Sequence, residues 1–393
     1  MPAISTSFPR PRIGWIRLAT ALTLCWASPV TAAIDIIFDY SYDTGNYFND
    51  DRRYIMDQAA YAFESRLTGE SFASAIPTDY GSSMTGYVTA SHPVTGNSFN
   101  INFGSTTSEG NVVGQANEII IFPGAGAASG STLAWASGIH NPRGSGDPWL
   151  DYMNNTRDSS TNYDSVGGTI SVNTSQNFYD DTDLTTHTDA TTSGKYDFYS
   201  VMVHEIGHLM GFRDGSDAWD ANYNEASSLF TGANAKAEYG GSNIPMDAAS
   251  DSHFGGSLDP TKINCDCHPS LNVSVSTNYR ASFSDLDFAV LSDIGYTVSA
   301  APVGTNVGST YTDPGVGYGG TYFVPAAETY ATWFARTGGG GGTGGGGGTP
   351  GGSAGAPEPA AIFTFLGLIL AFFAGWREWG RRRSKPENSL LEI

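Results

Sequence analysis

The chain has 393 residues, enough for one large or two modest domains, and 40% of them are hydrophobic, so it can bury a substantial core. Its 39 acidic residues against 19 basic ones give a formal net charge of −20, which argues against a nucleic-acid partner because such binding depends on neutralising phosphates. The three cysteines are too few for a disulfide scaffold. Cys265 and Cys267 are separated by one residue, a poor geometry for a mutual disulfide, and we assign them no catalytic role.

Residues 1–33 are typical of a secretory signal peptide. Three arginines precede a short apolar segment, residues 18–26, and small residues then offer a cleavage site after Ala32 or Ala33. The apolar segment is far shorter than the about 20 residues that span a bilayer. We therefore expect this segment to be removed when the chain is exported.

The exported part is predicted to alternate strands and helices, as in the α/β or α+β class. Residues 34–40 are rich in β-branched and aromatic residues and predict a strand, and residues 50–67 predict an amphipathic helix. Short apolar or β-branched runs predict four more strands, at 87–90, 98–103, 117–122 and 168–173. We interpret the Gly- and Ser-rich segment 125–166 as loops over the sheet, and residues 197–210 as a second helix.

The second helix carries the motif H-E-x-x-H-x-x-G. His204 and His208 lie four residues apart and project from one face of a helix, where two imidazoles can hold one Zn²⁺. Glu205 can reach a water at that ion and act as general base. Gly211 lets the helix end through the left-handed region. The apolar neighbours indicate a buried helix, in which unpartnered polar groups are costly, so an exposed polar turn is the weaker interpretation.

A catalytic zinc site needs a third protein ligand, and two residues are candidates. Asp214 lies at the spacing where short-spaced sites of this kind have a third histidine, and a carboxylate can replace it. His253 lies 45 residues after His208, followed by an aromatic residue. The spacing alone leaves both candidates open.

Five segments extend the pattern beyond the motif: 198–212, 230–235 (F-T-G-A-N-A), 239–241 (Y-G-G), 252–254 (S-H-F) and 283–296, which ends in D-I-G-Y. Together they resemble leishmanolysin-type metzincins and their secreted bacterial relatives, over about residues 34–298. The resemblance implies a zincin fold with a twisted mixed sheet, a zinc-binding active-site helix and a smaller C-terminal subdomain. It also implies that His253 is the third zinc ligand and that Asp214 is a helix-exit residue facing solvent.

The chain departs from the metzincin pattern beneath the zinc. Metzincins have a methionine-containing turn after the third ligand, but no methionine follows His253. Met246 precedes it and falls downstream only of Asp214. With His253 as the ligand, Leu258 or the segment 270–272 (S-L-N) must take the place of the turn.

The C-terminal part of the chain consists of an extension, a linker and an apolar terminal segment. Aromatic residues in 299–336 indicate short strands or a loosely packed extension, and 337–356 is a flexible glycine-rich linker. A Pro-Glu-Pro triplet, an apolar stretch at 360–376 and an arginine cluster complete the segment 357–383. This order resembles the PEP-CTERM sorting signal of Gram-negative bacteria. It implies recognition by an exosortase, transient insertion of the apolar stretch into the inner membrane, and delivery to the cell surface or extracellular matrix; a plain membrane anchor is the alternative.

We therefore expect a secreted or surface-sorted zinc endopeptidase acting on protein or peptide substrates. His204, His208 and His253 would hold the Zn²⁺, and Glu205 would be the general base. The alternative is a catalytically weak or inactive metzincin-like protein of the surface or matrix, which the missing methionine leaves open.

Overall fold

A computed structural model describes residues 34–337 with gaps at 68, 81–85, 129, 139–146, 185–193, 214, 257, 260–261, 263–268, 273–274, 276, 278–279, 300–306, 313–318 and 325–328. The helices within the described residues are α1 (Asp50–Glu64), α2 (Pro148–Tyr152), α3 (Phe198–Leu209), α4 (Asp217–Asp220), α5 (Ala233–Glu238), α6 (Asp285–Asp293) and α7 (Tyr330–Thr337). The strands are β1 (Asp35–Phe38), β2 (Tyr87–Ser91), β3 (Ser98–Asn102), β4 (Glu118–Gly126), β5 (Ala134–Gly138), β6 (Asp158–Ser159), β7 (Asn162–Tyr163), β8 (Gly167–Asn173), β9 (Phe178–Tyr179), β10 (Tyr196–Asp197), β11 (Tyr223–Asn224), β12 (Leu229–Phe230), β13 (Ile244–Asp247), β14 (Ser250–Phe254), β15 (Val307–Thr312) and β16 (Gly319–Val324).

The central sheet has four strands in the order β1-β4-β8-β5. β1, β4 and β8 are parallel, whereas β5 is antiparallel to β8 and forms one edge of the sheet. α1 and α3 pack against each other, and α3 also contacts β5. The helix that carries the histidine motif therefore runs beside an edge strand.

The two faces of the central sheet bury different cores. Ile119 and Ile121 of β4 belong to the core that includes α1 and α3, whereas Ile120 and Phe122 belong to the core that includes β2, β3 and α2. This alternation follows from the two-residue period of a strand. Because both faces are covered, every residue of β8 is buried.

A second, antiparallel sheet follows α3 and has the order β11-β12-β13-β14. Met246 of β13 pairs with Phe254 of β14, and a register shift lies between Met246 and Asp247. An isolated bridge joins Phe254 to Asn272. β14 carries His253, so this sheet brings the distant histidine to α3.

The combination of helices and strands predicted from the sequence is confirmed. The predicted strands at 34–40, 87–90, 98–103, 117–122 and 168–173 correspond to β1, β2, β3, β4 and β8, and the predicted helices at 50–67 and 197–210 correspond to α1 and α3. α1 ends at Glu64, before the predicted end at residue 67.

The interpretation of 125–166 as loops is wrong. This segment contains the edge strand β5, α2 with a following π-helical turn (Met153–Arg157), and the short strands β6 and β7. β5 has the sequence A-W-A-S-G, which lacks the β-branched residues typical of strands, and its pairing with β8 stabilises it.

Residues 299–336 contain the hairpin β15–β16 and most of α7. Trp333 of α7 is buried and packs edge-on against Tyr54 of α1, with ring centroids 5.8 Å apart. No helix among the described residues is long and apolar enough to cross a membrane. The predicted signal peptide, most of the glycine linker and the sorting segment 357–383 lie outside the described residues.

Candidate metal centre

The N-terminus of α3 is fixed by a buried ion-pair network. The Asp197 carboxylate accepts hydrogen bonds from the Ser200 backbone N–H at 3.0 Å and from its hydroxyl at 2.6 Å. Arg280, whose side chain is fully buried, donates to Asp197 at 2.8 Å and to Asp181 at 2.6 Å. A buried charge is tolerated when it is paired and hydrogen-bonded in this way, so the start of the helix has a defined position.

The C-terminal end of α3 turns sharply at Gly211, which has φ +102°, as the sequence predicted for this glycine. A Cβ at this position would lie 2.5 Å from the Tyr163 ring. The turn brings the Phe212 carbonyl back to the helix, where it accepts a hydrogen bond from His208 Nδ1–H at 2.7 Å. The helix exit therefore orients the second histidine of the motif.

The three predicted histidine ligands converge on one point. The Nε2 atoms of His204 and His208 are 3.1 Å apart, and His253 Nε2 lies 3.1 Å from the first and 3.2 Å from the second. His204 is buried, and His208 and His253 are partly exposed. The three Nε2 atoms thus form a triangle, the histidine triangle, in which His204 is the most enclosed residue.

Each imidazole ring is oriented by a hydrogen bond at Nδ1, the ring nitrogen that does not take part in the Nε2 cluster. His204 Nδ1–H donates to the Ser270 carbonyl at 2.7 Å, and His208 Nδ1–H donates to Phe212 as described above. His253 Nδ1 lies 2.6 Å from the Ser250 hydroxyl. A carbonyl oxygen only accepts, so the proton of His204 and of His208 is on Nδ1 and the Nε2 lone pair is free. Such oxygen partners are typical of metal-binding histidines.

The donor set fits a small cation. Two nitrogens that bind one Zn²⁺ at about 2.0–2.1 Å in tetrahedral arrangement lie about 3.3–3.4 Å apart, close to the 3.1–3.2 Å observed here. Three unprotonated lone pairs at this separation repel one another unless a cation lies among them. The residues present therefore suit a tri-histidine metal site.

Burial keeps these imidazoles neutral. Burial, followed by the nearby His253, lowers the pKa of His204 to about 4. Burial and the neighbouring imidazoles also lower the pKa of His208, and burial lowers that of His253. At neutral pH the three rings consequently present lone pairs and not protons.

Glu205 follows His204 on α3 and is buried, with 5% of its surface exposed. Burial raises the pKa of its carboxyl to about 8, and a hydrogen bond from the Ala136 backbone N–H opposes that rise. Ala136 belongs to the edge strand β5. A buried carboxyl whose pKa is shifted in this way is a candidate functional group.

Leu271 lies beneath the motif. A Cβ on Gly207, between the two helix histidines, would lie 2.8 Å from Leu271 Cδ2 and 2.8 Å from the Phe283 ring. Of the two positions considered for the missing methionine turn, the segment 270–272 therefore lies against α3. Met246 is buried in β13, where it pairs with Phe254.

The structure thus brings together the side chains of His204, His208 and His253, and Glu205 directly follows His204 on α3. The alternative ligand Asp214 lies outside the described residues. Sequence reasoning missed Ala136, because β5 was interpreted as loop, and Ser250, a small residue that shows its role only in the folded hairpin.

Comparisons with known proteins return no match: no family model, no curated protein and no solved structure is similar to this chain.

Proposed function

We propose that the chain is a zinc-dependent endopeptidase. The convergence of three histidine Nε2 atoms within 3.2 Å of one another, beside the buried Glu205, is the observation that carries the proposal. Three neutral nitrogen ligands and a fourth open position are the arrangement of catalytic zinc sites, whereas structural zinc sites are closed by four protein ligands.

A zinc ion held by His204, His208 and His253 would supply Lewis-acid activation of a water and of the scissile carbonyl. Glu205 accepts the proton of the attacking water and delivers it to the leaving amine. The Ala136 N–H orients the Glu205 carboxylate through its hydrogen bond. Because His204 and Glu205 are buried, bulk water has limited access to the proton-transfer path.

The edge strand β5 provides a place for an extended peptide. Among the described residues, β5 pairs with β8 on one side, and α3 packs beside it. A peptide that adds to the other side of β5 would form backbone hydrogen bonds independent of its side chains. This favours an extended protein or peptide substrate that lies along β5 and across the histidine triangle.

We also propose that residues 34–298 have a metzincin-like fold. A parallel sheet with an antiparallel edge strand, an H-E-x-x-H helix beside it and a histidine from a later subdomain are consistent with the resemblance of residues 34–298. We also propose export, sorting by an exosortase through residues 357–383, and location at the cell surface or in the extracellular matrix, on the basis of the sequence pattern alone.

The test combines metal analysis with hydrolysis. We expect the purified full chain to contain one zinc ion and to hydrolyse casein or gelatin, to lose that activity with 1,10-phenanthroline, and to regain it with added Zn²⁺. A chain that binds zinc stoichiometrically but cleaves no substrate in a broad panel would support the alternative, an inactive surface or matrix protein. A chain that binds no zinc would contradict the proposal altogether.

A further inference from the structure

Asp287, at the start of α6, is fully buried and lies outside the H-E-x-x-H motif. Its carboxylate forms a capping box with Ser284, accepting hydrogen bonds from the backbone N–H and the hydroxyl of that residue, each at 2.6 Å. A capping box alone is an ordinary way to begin a helix and requires no functional explanation.

The same carboxylate also holds a second segment of the chain. Asp287 Oδ2 accepts from the Ser270 N–H at 2.9 Å, and Oδ1 accepts from the Leu271 N–H at 3.2 Å. Both oxygens are therefore used to fix the backbone of residues 270–271, sixteen and seventeen positions earlier in the chain. A carboxylate that accepts several backbone N–H groups in a buried place gives strong and directional hydrogen bonds.

The fixed segment in turn contacts two histidine-bearing elements. The Ser270 carbonyl accepts the hydrogen bond from His204 Nδ1–H at 2.7 Å. The Leu271 carbonyl accepts from the backbone N–H of Phe254, the residue after His253, at 2.8 Å. Hydrogen bonds thus run without interruption from the Asp287 carboxylate through the backbone of Ser270 and Leu271 to α3 and β14.

We infer that Asp287 is a positioning residue of the metal centre, holding the 270–271 backbone so that it orients His204 and the end of β14. The inference rests on the proposed metal site, because it concerns how strongly these histidines hold an ion. Leu271 of this segment packs at Gly207, between the two histidines of α3. Through its hydrogen bonds to the Ser270 and Leu271 N–H groups, Asp287 holds this segment against α3.

Asp293 offers a matched control on the same helix. Its carboxylate also accepts backbone N–H groups from a neighbouring segment, those of Asn234 and Ala235, each at 2.8 Å. This contact anchors the start of α5, and among the described residues the Asp293 carboxylate forms its hydrogen bonds with Asn234 and Ala235 and not with the histidine-bearing elements. Removal of either carboxylate lowers stability, but only Asp287 is joined to the histidines.

The experiment compares Asp287→Asn with Asp293→Asn in the purified full chain. Zn²⁺ affinity is measured by competition with a chromophoric chelator, and the Co²⁺-substituted proteins are compared by their visible absorption. We expect Asp287→Asn to weaken Zn²⁺ binding by about 10- to 100-fold and to alter the Co²⁺ spectrum, since residues that orient metal-bound histidines have effects of this size. Asp293→Asn should keep the wild-type affinity and spectrum.

Equal Zn²⁺ affinities and Co²⁺ spectra for the two variants would overturn the inference while leaving the proposed metal site intact. A wild-type chain that binds neither ion would instead refute the proposed function. Should Asp287→Asn fail to fold, the pair Asp287→Glu and Asp293→Glu retains each charge and displaces it by one methylene. We then expect weaker Zn²⁺ binding for Asp287→Glu alone, and equal affinities would again overturn the inference.

Discussion

His253 and His208 are 45 residues apart in the chain, yet their Nε2 atoms are 3.2 Å apart in the fold. The bulged hairpin of β13 and β14 makes this possible, and Ser250 fixes the His253 ring through Nδ1. The position of a histidine in the sequence does not make it a metal ligand. A metal-binding histidine needs a hydrogen-bond partner at Nδ1 that orients the ring, and an Nε2 atom that faces the other ligands.

Replacement of His253 tests its role as third ligand. We expect His253→Ala to lower Zn²⁺ affinity by at least about 100-fold, because the variant has only two of the three nitrogen ligands that hold the ion. Asp214→Ala is the control and should bind Zn²⁺ as the wild type does. Isothermal titration calorimetry measures both affinities, and zinc retention by His253→Ala with loss by Asp214→Ala would show that the ligand is Asp214.

The substitution Gly207→Ala tests how tightly Leu271 and Phe283 pack against α3. Alanine favours a helix by about 1 kcal/mol over glycine, but the added methyl would lie 2.8 Å from Leu271 and from Phe283. Overpacking of this kind costs about 1–3 kcal/mol. We expect Gly207→Ala to lower the free energy of unfolding in urea, whereas Gly45→Ala, with open space around its Cβ, should leave it nearly unchanged. A stabilised Gly207→Ala would show that the leucine is not packed there.

At the scale of elements, α3 was predictable from sequence and β5 was not. The apolar residues, the histidine spacing and Gly211 are local signals, so α3 extends within one residue of its predicted bounds at each end. β5 consists of small residues and one tryptophan, and its strand conformation comes from pairing with β8. The contact of Asp287 with residues 270–271 was equally hidden, because a capping box shows the helix start and nothing of its tertiary partners.

The contact between β1 and α1 through Glu64 predicts that the stability of the fold depends on pH. Glu64 of α1 accepts a hydrogen bond from the Ile36 N–H at 2.8 Å and also interacts with Asp35. Burial, followed by the charge of Asp35, raises the pKa of Glu64 to about 8. The folded chain then holds a proton that the unfolded chain releases above about pH 4.5, so stability is complete below that pH and falls as pH rises towards 8.

Glu64→Gln removes this titration while it keeps an acceptor oxygen for Ile36. Between pH 5 and pH 8, we expect the wild type to lose at least about 1 kcal/mol of unfolding free energy relative to the variant, since one pKa unit corresponds to about 1.4 kcal/mol. Urea denaturation at a series of pH values measures the difference. Parallel pH profiles for the two proteins would contradict a raised Glu64 pKa.

At the scale of the whole molecule, the described chain ends in a helix that packs back onto its first helix. The Trp333 indole N–H donates to Asp57 at 2.6 Å, and its ring contacts Tyr54. The glycine-rich segment begins where α7 ends. We propose from its composition that this segment separates the folded part from the sorting or anchoring segment.

Trp333→Ala tests this docking. The loss of a buried aromatic ring should detach α7, so we expect limited trypsin proteolysis near Arg336 to be at least about tenfold faster, the factor given by about 1.4 kcal/mol of local opening. Zn²⁺ binding should be unchanged, since α7 packs against α1 among the described residues. Phe334→Ala is the neighbouring control, because Phe334 is 37% exposed, and it should be cleaved at the wild-type rate. Equal cleavage of both variants would show that α7 is not held by Trp333.

The initial rate of casein hydrolysis by zinc-loaded Glu205→Gln, compared with the zinc-loaded wild type, tests the proposed peptidase most directly. Glutamine keeps the shape of the side chain and leaves all three histidines in place, but it cannot accept the proton of the attacking water. We expect equal zinc content in the two proteins and a rate at least about 100-fold lower for the variant, the contribution of a positioned general base. Equal rates at equal zinc content would contradict the assignment of Glu205 as general base and the peptidase mechanism built on it.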